Sequence, residues 1–178
     1  MSDDTDRWPG TGGAPPRVRD EVVLTYYSRT GTTARVAADL AARFADPTVQ
    51  RIRPDRERRY ANWLARSFVP GSTVPIEGVE TDLREASALV LGSPKWTLSC
   101  PPVTAFLERA NLEGVPTALF LTYGGFDERR YLNRLVERVS DAGADVVATL
   151  LVKRDRVGSA EYEAALDEFV AAVRDERR

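Results

Sequence analysis

Histidine is absent from the 178-residue sequence, and cysteine occurs once, at Cys100. Without histidine, Ser-His and Cys-His nucleophile pairs and an imidazole general base are excluded, and zinc lacks its commonest ligand. We therefore predict no catalytic side chain and no metal site. A single cysteine forms no internal disulfide, so a reducing compartment is indicated and we expect a cytoplasmic protein.

A strong charge of one sign is also missing. The 25 lysine and arginine residues nearly balance 27 aspartate and glutamate residues, for a net charge of −2. Nucleic-acid-binding proteins usually carry a basic field, so we expect no nucleic-acid partner. The longest apolar runs, such as Val115 to Tyr123, are far shorter than the ~20 residues that cross a bilayer, so no membrane span is predicted.

The amino-terminal segment, residues 1–19, is rich in proline and glycine and poor in apolar residues. Such a segment cannot bury enough apolar surface to fold, so we predict a disordered leader. The rest, residues 20–178, has the length of one domain.

From Glu21 onward, short β-branched or apolar runs alternate with longer amphipathic stretches, which predicts βαβ units and a parallel sheet. The right-handed crossover rule then favours an α/β, three-layer, doubly wound sheet of five parallel strands in the order 2-1-3-4-5. The continuous apolar strands three and four are expected at its centre. The predicted strands are Val22–Tyr27, Thr48–Arg53, Ala88–Gly92, Thr117–Tyr123 and Val146–Val152, and the helices are Thr32–Ala45, Pro102–Ala110, Glu128–Ala142 and Ala160–Arg177.

The connection over residues 54–86 is longer than a plain crossover. Tyr60, Leu64 and Phe68 lie four residues apart with Trp63 beside them, which predicts an amphipathic helix. The sequence leaves open whether this segment covers a ligand or contacts a second chain, and no feature indicates the oligomeric state. Its arginine-rich beginning, residues 51–59, is read as a solvated surface, with a patch for an anionic partner as the alternative.

Ligands of open α/β sheets bind beyond the carboxyl ends of the strands. After the first strand comes Ser28-Arg29-Thr30-Gly31-Thr32-Thr33, which runs into a helix and has no acid between Val22 and Ala38. Hydroxyl groups and exposed amides at a helix N-terminus are typical of a phosphate site. The alternative is simple helix capping, for which one hydroxyl is enough.

This loop resembles the Ser/Thr-x-Thr-Gly-x-Thr phosphate loop of the flavodoxin family, which binds flavin mononucleotide (FMN). Gly92-Ser93-Pro94-Lys95-Trp96 after the third strand is similar to the family's Gly-x-Pro-x-Trp segment. Thr122-Tyr123-Gly124-Gly125 after the fourth is similar to its Thr-x-Gly-Gly loop. The resemblance covers the chain from about Glu21 to the carboxyl end and implies a flavodoxin-like flavoprotein with FMN as cofactor.

The resemblance also implies which residues bind the cofactor. The first loop would hold the phosphate, the other two would border the isoalloxazine ring, and Trp96 is the best stacking candidate. The predicted FMN-binding residues are Ser28, Arg29, Thr30, Gly31, Thr32, Thr33, Ser93, Pro94, Lys95, Trp96, Thr97, Thr122, Tyr123, Gly124, Gly125 and Phe126.

Charge near the ring departs from the family pattern. Low-potential electron carriers of the family surround the ring with acids, whereas Lys95 is the one charged residue from Leu89 to Leu107, and none occurs from Val115 to Phe126. A cation there stabilises reduced, anionic flavin. We expect a flavodoxin-like electron transport protein that passes electrons between a reductase and an acceptor. The alternatives are an NAD(P)H- or quinone-linked FMN oxidoreductase and, more weakly, a flavin-free interaction module.

Overall fold

The computed structural model describes residues 19–56 and 58–176. Its main sheet has five parallel strands in the order β2-β1-β5-β6-β7, which confirms the predicted order 2-1-3-4-5. The predicted leader lies outside the described residues except for Arg19, which begins the first strand. No helix of the described part is long and apolar enough to cross a membrane. The strands of this sheet are β1 (Arg19–Tyr26), β2 (Thr48–Arg51), β5 (Ala86–Pro94), β6 (Pro116–Tyr123) and β7 (Asp145–Lys153).

Helices cover both faces of this sheet, which gives three layers. On one face an apolar cluster joins α1 and α5 to the strands through side chains such as Val36, Leu40 and Leu166. On the other face, α2, α3 and α4 contribute Trp63, Phe106 and further side chains to a second cluster. The helices are α1 (Thr32–Ala41), α2 (Tyr60–Ser67), α3 (Pro101–Arg109), α4 (Glu128–Asp141) and α5 (Ala160–Asp175), and a 3₁₀ turn spans Arg154–Arg156.

Strands β5 and β6 lie in the interior of the sheet, as their continuous apolar sequences predict. The six central residues of each strand, 88–93 and 117–122, are buried, because helices pack on both faces. Gly92 of β5 pairs with Phe120 of β6, and the Phe120 ring occupies the space where a side chain at position 92 would lie.

The segment between β2 and β5 forms a small unit of its own. Strands β3 (Arg53–Pro54) and β4 (Ile76–Glu77) pair antiparallel, and the predicted helix α2 lies between them in the chain. Trp63 of α2 is fully buried. This unit therefore packs on the domain rather than extending from it.

Two predicted elements differ most from the structure, and the other predicted ends lie within three residues of the observed ones. Helix α1 ends at Ala41 rather than Ala45, and Asp46 has a positive φ of 50°. Pro47 disfavours helical geometry in Asp46, the residue before it, so the helix could not have continued through this position. The predicted second strand, Thr48–Arg53, is divided into β2 and β3, since Arg53 leaves the main sheet to pair with Glu77.

Candidate functional site

Three strand-end loops meet around one cavity of about 290 Å³ at the carboxyl edge of the sheet. Ten of the sixteen predicted site residues line it, and α2 and the 3₁₀ turn complete its wall. The lining residues are Arg29, Thr30, Thr32, Thr33, Leu64, Pro94, Lys95, Trp96, Thr97, Thr122, Tyr123 and Arg154.

The loop between β1 and α1 directs backbone amides, rather than capping hydroxyls, toward this cavity. Gly31 precedes the helix with a φ of 96°, a left-handed conformation that favours glycine. No side chain of the described residues caps α1, and its first turn contains no acid. The hydroxyls of this loop therefore do not cap the first turn of α1, and an uncapped helix N-terminus without acids favours a negative charge.

The Ser28 hydroxyl stabilises this loop from within. Ser28 is buried, and its Oγ accepts a hydrogen bond from the Gly31 amide at 3.2 Å. The Arg51 guanidinium donates to the Ser28 carbonyl oxygen at 2.8 Å. Ser28 and Gly31 are thus absent from the cavity wall and shape the loop that forms it.

A buried hydroxyl pair connects the first and third loops. The Thr33 and Thr122 hydroxyl oxygens lie 2.7 Å apart, and both residues are buried. The Lys95 amide donates to the Thr122 carbonyl oxygen at 2.7 Å, which attaches the second loop at the same point. The start of α1, the second loop and the end of β6 are therefore held together by residues of the cavity wall.

Trp96 is the half-buried aromatic residue of the second loop. Its ring lies edge-on to Trp63, with centroids 5.5 Å apart, and edge-on to Tyr27, with centroids 6.1 Å apart. These contacts fix the orientation of the indole while part of it still lines the cavity. Trp96 is thus both a packed aromatic residue and a cavity wall.

Helix α2 forms one wall of the cavity, a role that the sequence alone does not decide. Leu64 lines the cavity, and the Ser67 hydroxyl contacts the Thr97 hydroxyl. The amides of Leu98 and Ser99 donate to the Ser67 carbonyl oxygen at 2.9 and 3.1 Å. The segment over residues 54–86 therefore lies against the site and holds the second loop.

A buried polar group lies behind the second loop. Ser93 is fully buried and lies beside Cys100 and Tyr131 rather than in the cavity wall, and its hydroxyl donates to the Pro94 carbonyl oxygen at 3.1 Å. Burial raises the pKa of the Cys100 thiol to about 12, and burial likewise raises the pKa of Tyr131. Cys100 is therefore a buried small side chain, and a thiol whose pKa is raised in this way is unreactive at neutral pH.

The third loop and the 3₁₀ turn form the mouth of the cavity. The Lys95 ammonium lies 5.8 Å from the centroid of the Phe126 ring, which is 84% exposed. Gly124 lies beside the Arg154 guanidinium, at a distance of 3.5 Å from the position of an added Cβ. The residues that follow Tyr123 in the third loop are not part of the cavity wall. They are Gly124, Gly125 and Phe126.

Leu64 and Arg154 are the two lining residues that the sequence analysis missed. Arg154 directly follows the last strand of the sheet, so the strand-end rule that located the other loops also applies to it. Leu64 was recognised as part of an amphipathic helix, but no local signal shows what that helix covers.

The lining set is cationic and has no acidic member. Arg29, Lys95 and Arg154 contribute positive charge, and the remaining side chains are uncharged. No group of histidine, cysteine, aspartate or glutamate in the described part of the chain could hold a metal ion. The site is thus suited to an anionic, partly aromatic ligand.

Comparison with known proteins agrees with this architecture. No family sequence model matches the chain. A solved protein of Bacteroides uniformis superposes with a TM-score of 0.69 at 20% identity, covering 85% of this chain and 97% of the other. A flavoprotein in complex with FMN from Lactobacillus acidophilus gives 0.66 at 14% identity, with 85% and 99% covered. Oxidised flavodoxin 2 from Bacillus cereus gives 0.61 at 18% identity, with 88% and 99% covered.

The sheet order and the three convergent loops thus define a flavodoxin-like fold, which the chain shares with these solved structures. The chain belongs to the same family as an uncharacterized protein from Archaeoglobus fulgidus, to which it is 36% identical over 133 residues. The match covers 74% of this chain and 84% of the archaeal protein.

Proposed function

We propose that this chain is an FMN-binding redox protein that carries electrons between a reductase and an acceptor. The observation that carries the proposal is the uncapped N-terminus of α1, which opens into a cavity lined by cations and by aromatic side chains. The structural likeness to a flavoprotein in complex with FMN supports it.

The residues present fit both ends of FMN. The amides at the start of α1, with the hydroxyls of Thr30 and Thr32, would hold the phosphate, because helix N-termini bind anions. Trp96 and Tyr123 offer aromatic faces to the ring. The volume of about 290 Å³ lies near the lower end of the ~300–1,000 Å³ typical of small-molecule sites, which suits a flat ligand with one exposed edge.

The lining chemistry supports a carrier. FMN supplies the electron chemistry when bound, and the protein contributes binding, orientation and local charge. No lining side chain is a carboxylate, imidazole or thiol. A protein that only binds FMN and exchanges electrons at its exposed edge needs no such acid or base.

One observation favours the second candidate, an NAD(P)H- or quinone-linked FMN oxidoreductase. Lys95 and Arg154 bring positive charge to the cavity, where a low-potential carrier would have acids. Such charge stabilises reduced, anionic flavin and attracts an anionic substrate.

Cofactor binding is tested by the colour and phosphate dependence of the purified protein. We expect flavin absorption and a clear preference for FMN over riboflavin, which lacks the phosphate. Thr30→Ala and Thr32→Ala should each weaken FMN binding about tenfold, the equivalent of one hydrogen bond to a charged group. Thr48→Ala, an exposed threonine at the opposite edge of the sheet, is the control. A colourless protein that takes up no added FMN would leave only the flavin-free interaction module.

Stopped-flow mixing with NADH and NADPH separates the two redox roles. A carrier should stay oxidised on mixing and become reduced when a flavin reductase is added. Rapid bleaching of the flavin by either nucleotide alone would favour the oxidoreductase.

A further inference from the structure

Opposite charges collect at the two edges of the sheet, although the net charge of the chain is only −2. The described residues of the five connections at the carboxyl edge are 27–31, 52–56 with 58–59, 95–100, 124–127 and 154–159. They contain eight arginines and lysines against three acids. Those at the amino edge, residues 42–47, 78–85, 110–115 and 142–144, contain two arginines against five acids. The protein is therefore polarised, with its positive end at the cavity.

Part of this positive charge belongs to the arginine-rich segment that precedes α2. The Arg58 guanidinium lies 5.3 Å from the centroid of the Trp63 ring, which in turn contacts Trp96 of the cavity wall. Asp55 is paired with Arg58 at 3.2 Å. Arg59 is exposed and forms no ion pair with the residues that the structure describes.

The opposite side of the cavity mouth also carries exposed positive charge. Arg130, in the first turn of α4, is exposed and likewise has no ion-pair partner among the described residues. Asp127 and Glu128 are the acids of this side, and Lys95 lies over Phe126. Exposed cations therefore flank the cavity on both sides.

Exposed apolar side chains occur in the same region. The described residues include four large exposed hydrophobic side chains, and three of them, Phe68, Val69 and Phe126, are near the second or third loop. Phe68 follows Leu64 by one helical turn and so extends the cavity wall outward. The Val69 carbonyl oxygen accepts a hydrogen bond from Ser99 at 3.1 Å.

We propose that this surface, here called the cationic rim (Arg59, Phe68, Val69, Phe126 and Arg130), docks an acidic redox protein over the cavity. The proposal rests on the proposed function for the identity of the partner as a redox protein. A small anion would be satisfied by the cavity alone, whereas exposed aromatic side chains on both sides match the apolar centre and charged surroundings of a protein interface. Docking makes and breaks no covalent bond.

The polarised charge gives the partner a direction of approach. Complementary charge accelerates association and fixes orientation, and it repels proteins of the wrong sign. An acidic protein is attracted by the cavity end and repelled by the opposite end, so encounters place it where the flavin edge would be exposed.

The test uses the FMN-loaded protein and two probes of opposite charge, an acidic [2Fe–2S] ferredoxin and a basic cytochrome c. Binding is measured by calorimetry at about 0.01 M and about 0.15 M ionic strength, where the Debye length is ~30 and ~8 Å. We expect the ferredoxin to bind at low ionic strength and to weaken at least tenfold at the higher one. Tighter binding of the cytochrome, or binding of neither probe at low ionic strength, would overturn the proposal.

Charge-reversal variants locate the surface. Arg59 and Arg130 lie outside the cavity wall. Arg59→Glu and Arg130→Glu should therefore each weaken ferredoxin binding about tenfold, without changing FMN affinity. Arg84→Glu, exposed at the opposite edge, has the same change in charge and should have no effect. Equal losses from all three variants would overturn the proposal, because they would indicate only net charge.

Calorimetry does not depend on electron transfer, so the two proposals fail separately. A chain that takes up no FMN and still binds the ferredoxin through Arg59 and Arg130 would overturn the proposed function and leave the docking surface. A yellow protein that binds neither probe would overturn the docking surface and leave the proposed function.

Discussion

At the scale of single residues, side chains with the same sequence signal have different roles. Of the four hydroxyl-bearing residues in the first loop, Ser28 closes the turn, while Thr30, Thr32 and Thr33 line the cavity. The Thr33 hydroxyl also contacts that of Thr122. A motif shows which residues are near a ligand, but the direction of each hydroxyl depends on strands that lie far away in sequence.

The Thr33–Thr122 pair should contribute to stability as a unit. Thr33→Val leaves the Thr122 hydroxyl buried without a partner, so the free energy of unfolding should fall by about 1–3 kcal/mol. Replacing both residues with valine should cost less than the sum of the single changes, since neither hydroxyl is then left unpaired. Urea unfolding of the four proteins measures this coupling, and strictly additive losses would contradict it.

Arg154 should raise the midpoint potential of bound FMN. Its guanidinium lines the cavity but is exposed to solvent, and a charge within about 4 Å, screened as in water with a dielectric constant of about 80, stabilises the reduced, anionic flavin by on the order of 1 kcal/mol. Arg154→Gln should therefore lower the two-electron potential by about 20 mV. Arg156→Gln, in the same turn but outside the cavity wall, is the control in spectroelectrochemical titration. An equal shift in both variants would point to net charge rather than position.

At the scale of elements, the close approach of β5 and β6 depends on one glycine. A Cβ on Gly92 would lie 2.1 Å from Cζ of the fully buried Phe120. Gly92→Ala should therefore lower the free energy of unfolding by about 3 kcal/mol, because overpacking displaces neighbouring core atoms. Gly125 has open space around it, so Gly125→Ala should change the free energy of unfolding by less than ~0.5 kcal/mol. Urea unfolding compares the two variants, and similar losses would show that the ring moves aside freely.

The elements also show where sequence reasoning succeeds and where it stops. The five strands and their order follow from apolar runs and the crossover rule, and both depend on local patterns. The pairing of Arg53 with Glu77 and the position of α2 against Trp96 depend on contacts between distant segments. Helix α2 was therefore predicted, but its residue Leu64 was not predicted as part of the site.

At the scale of the whole molecule, charge has an arrangement that composition does not reveal. A net charge of −2 indicated no nucleic-acid partner, yet the parallel sheet places every strand-end loop at one edge and so separates the two signs. The order of the strands can be predicted from the sequence. The separation of charge is visible only when each loop is assigned to an edge of the sheet. This separation connects the cavity to the proposed docking surface.

Global stability should also fall at alkaline pH because of Cys100. Its pKa is raised by burial to about 12, against 9.0 for an unperturbed thiol. Above pH 9.0 the unfolded chain loses this proton while the folded chain keeps it, so unfolding releases a proton and stability decreases as pH rises. Between pH 8 and 10 the loss from Cys100 should be about 1.4 kcal/mol.

The matched control for this effect is Cys100→Ala, which removes the thiol and leaves the buried tyrosines. Tyr131 and Tyr162 also have pKa values raised mainly by burial, and since both stay protonated in the folded state between pH 8 and 10, they contribute equally to the two profiles. The wild-type protein should therefore lose about 1.4 kcal/mol more than the variant over this range, as measured by urea unfolding at each pH. Parallel pH profiles would mean that the thiol ionises in the folded protein, which its burial behind Ser93 argues against.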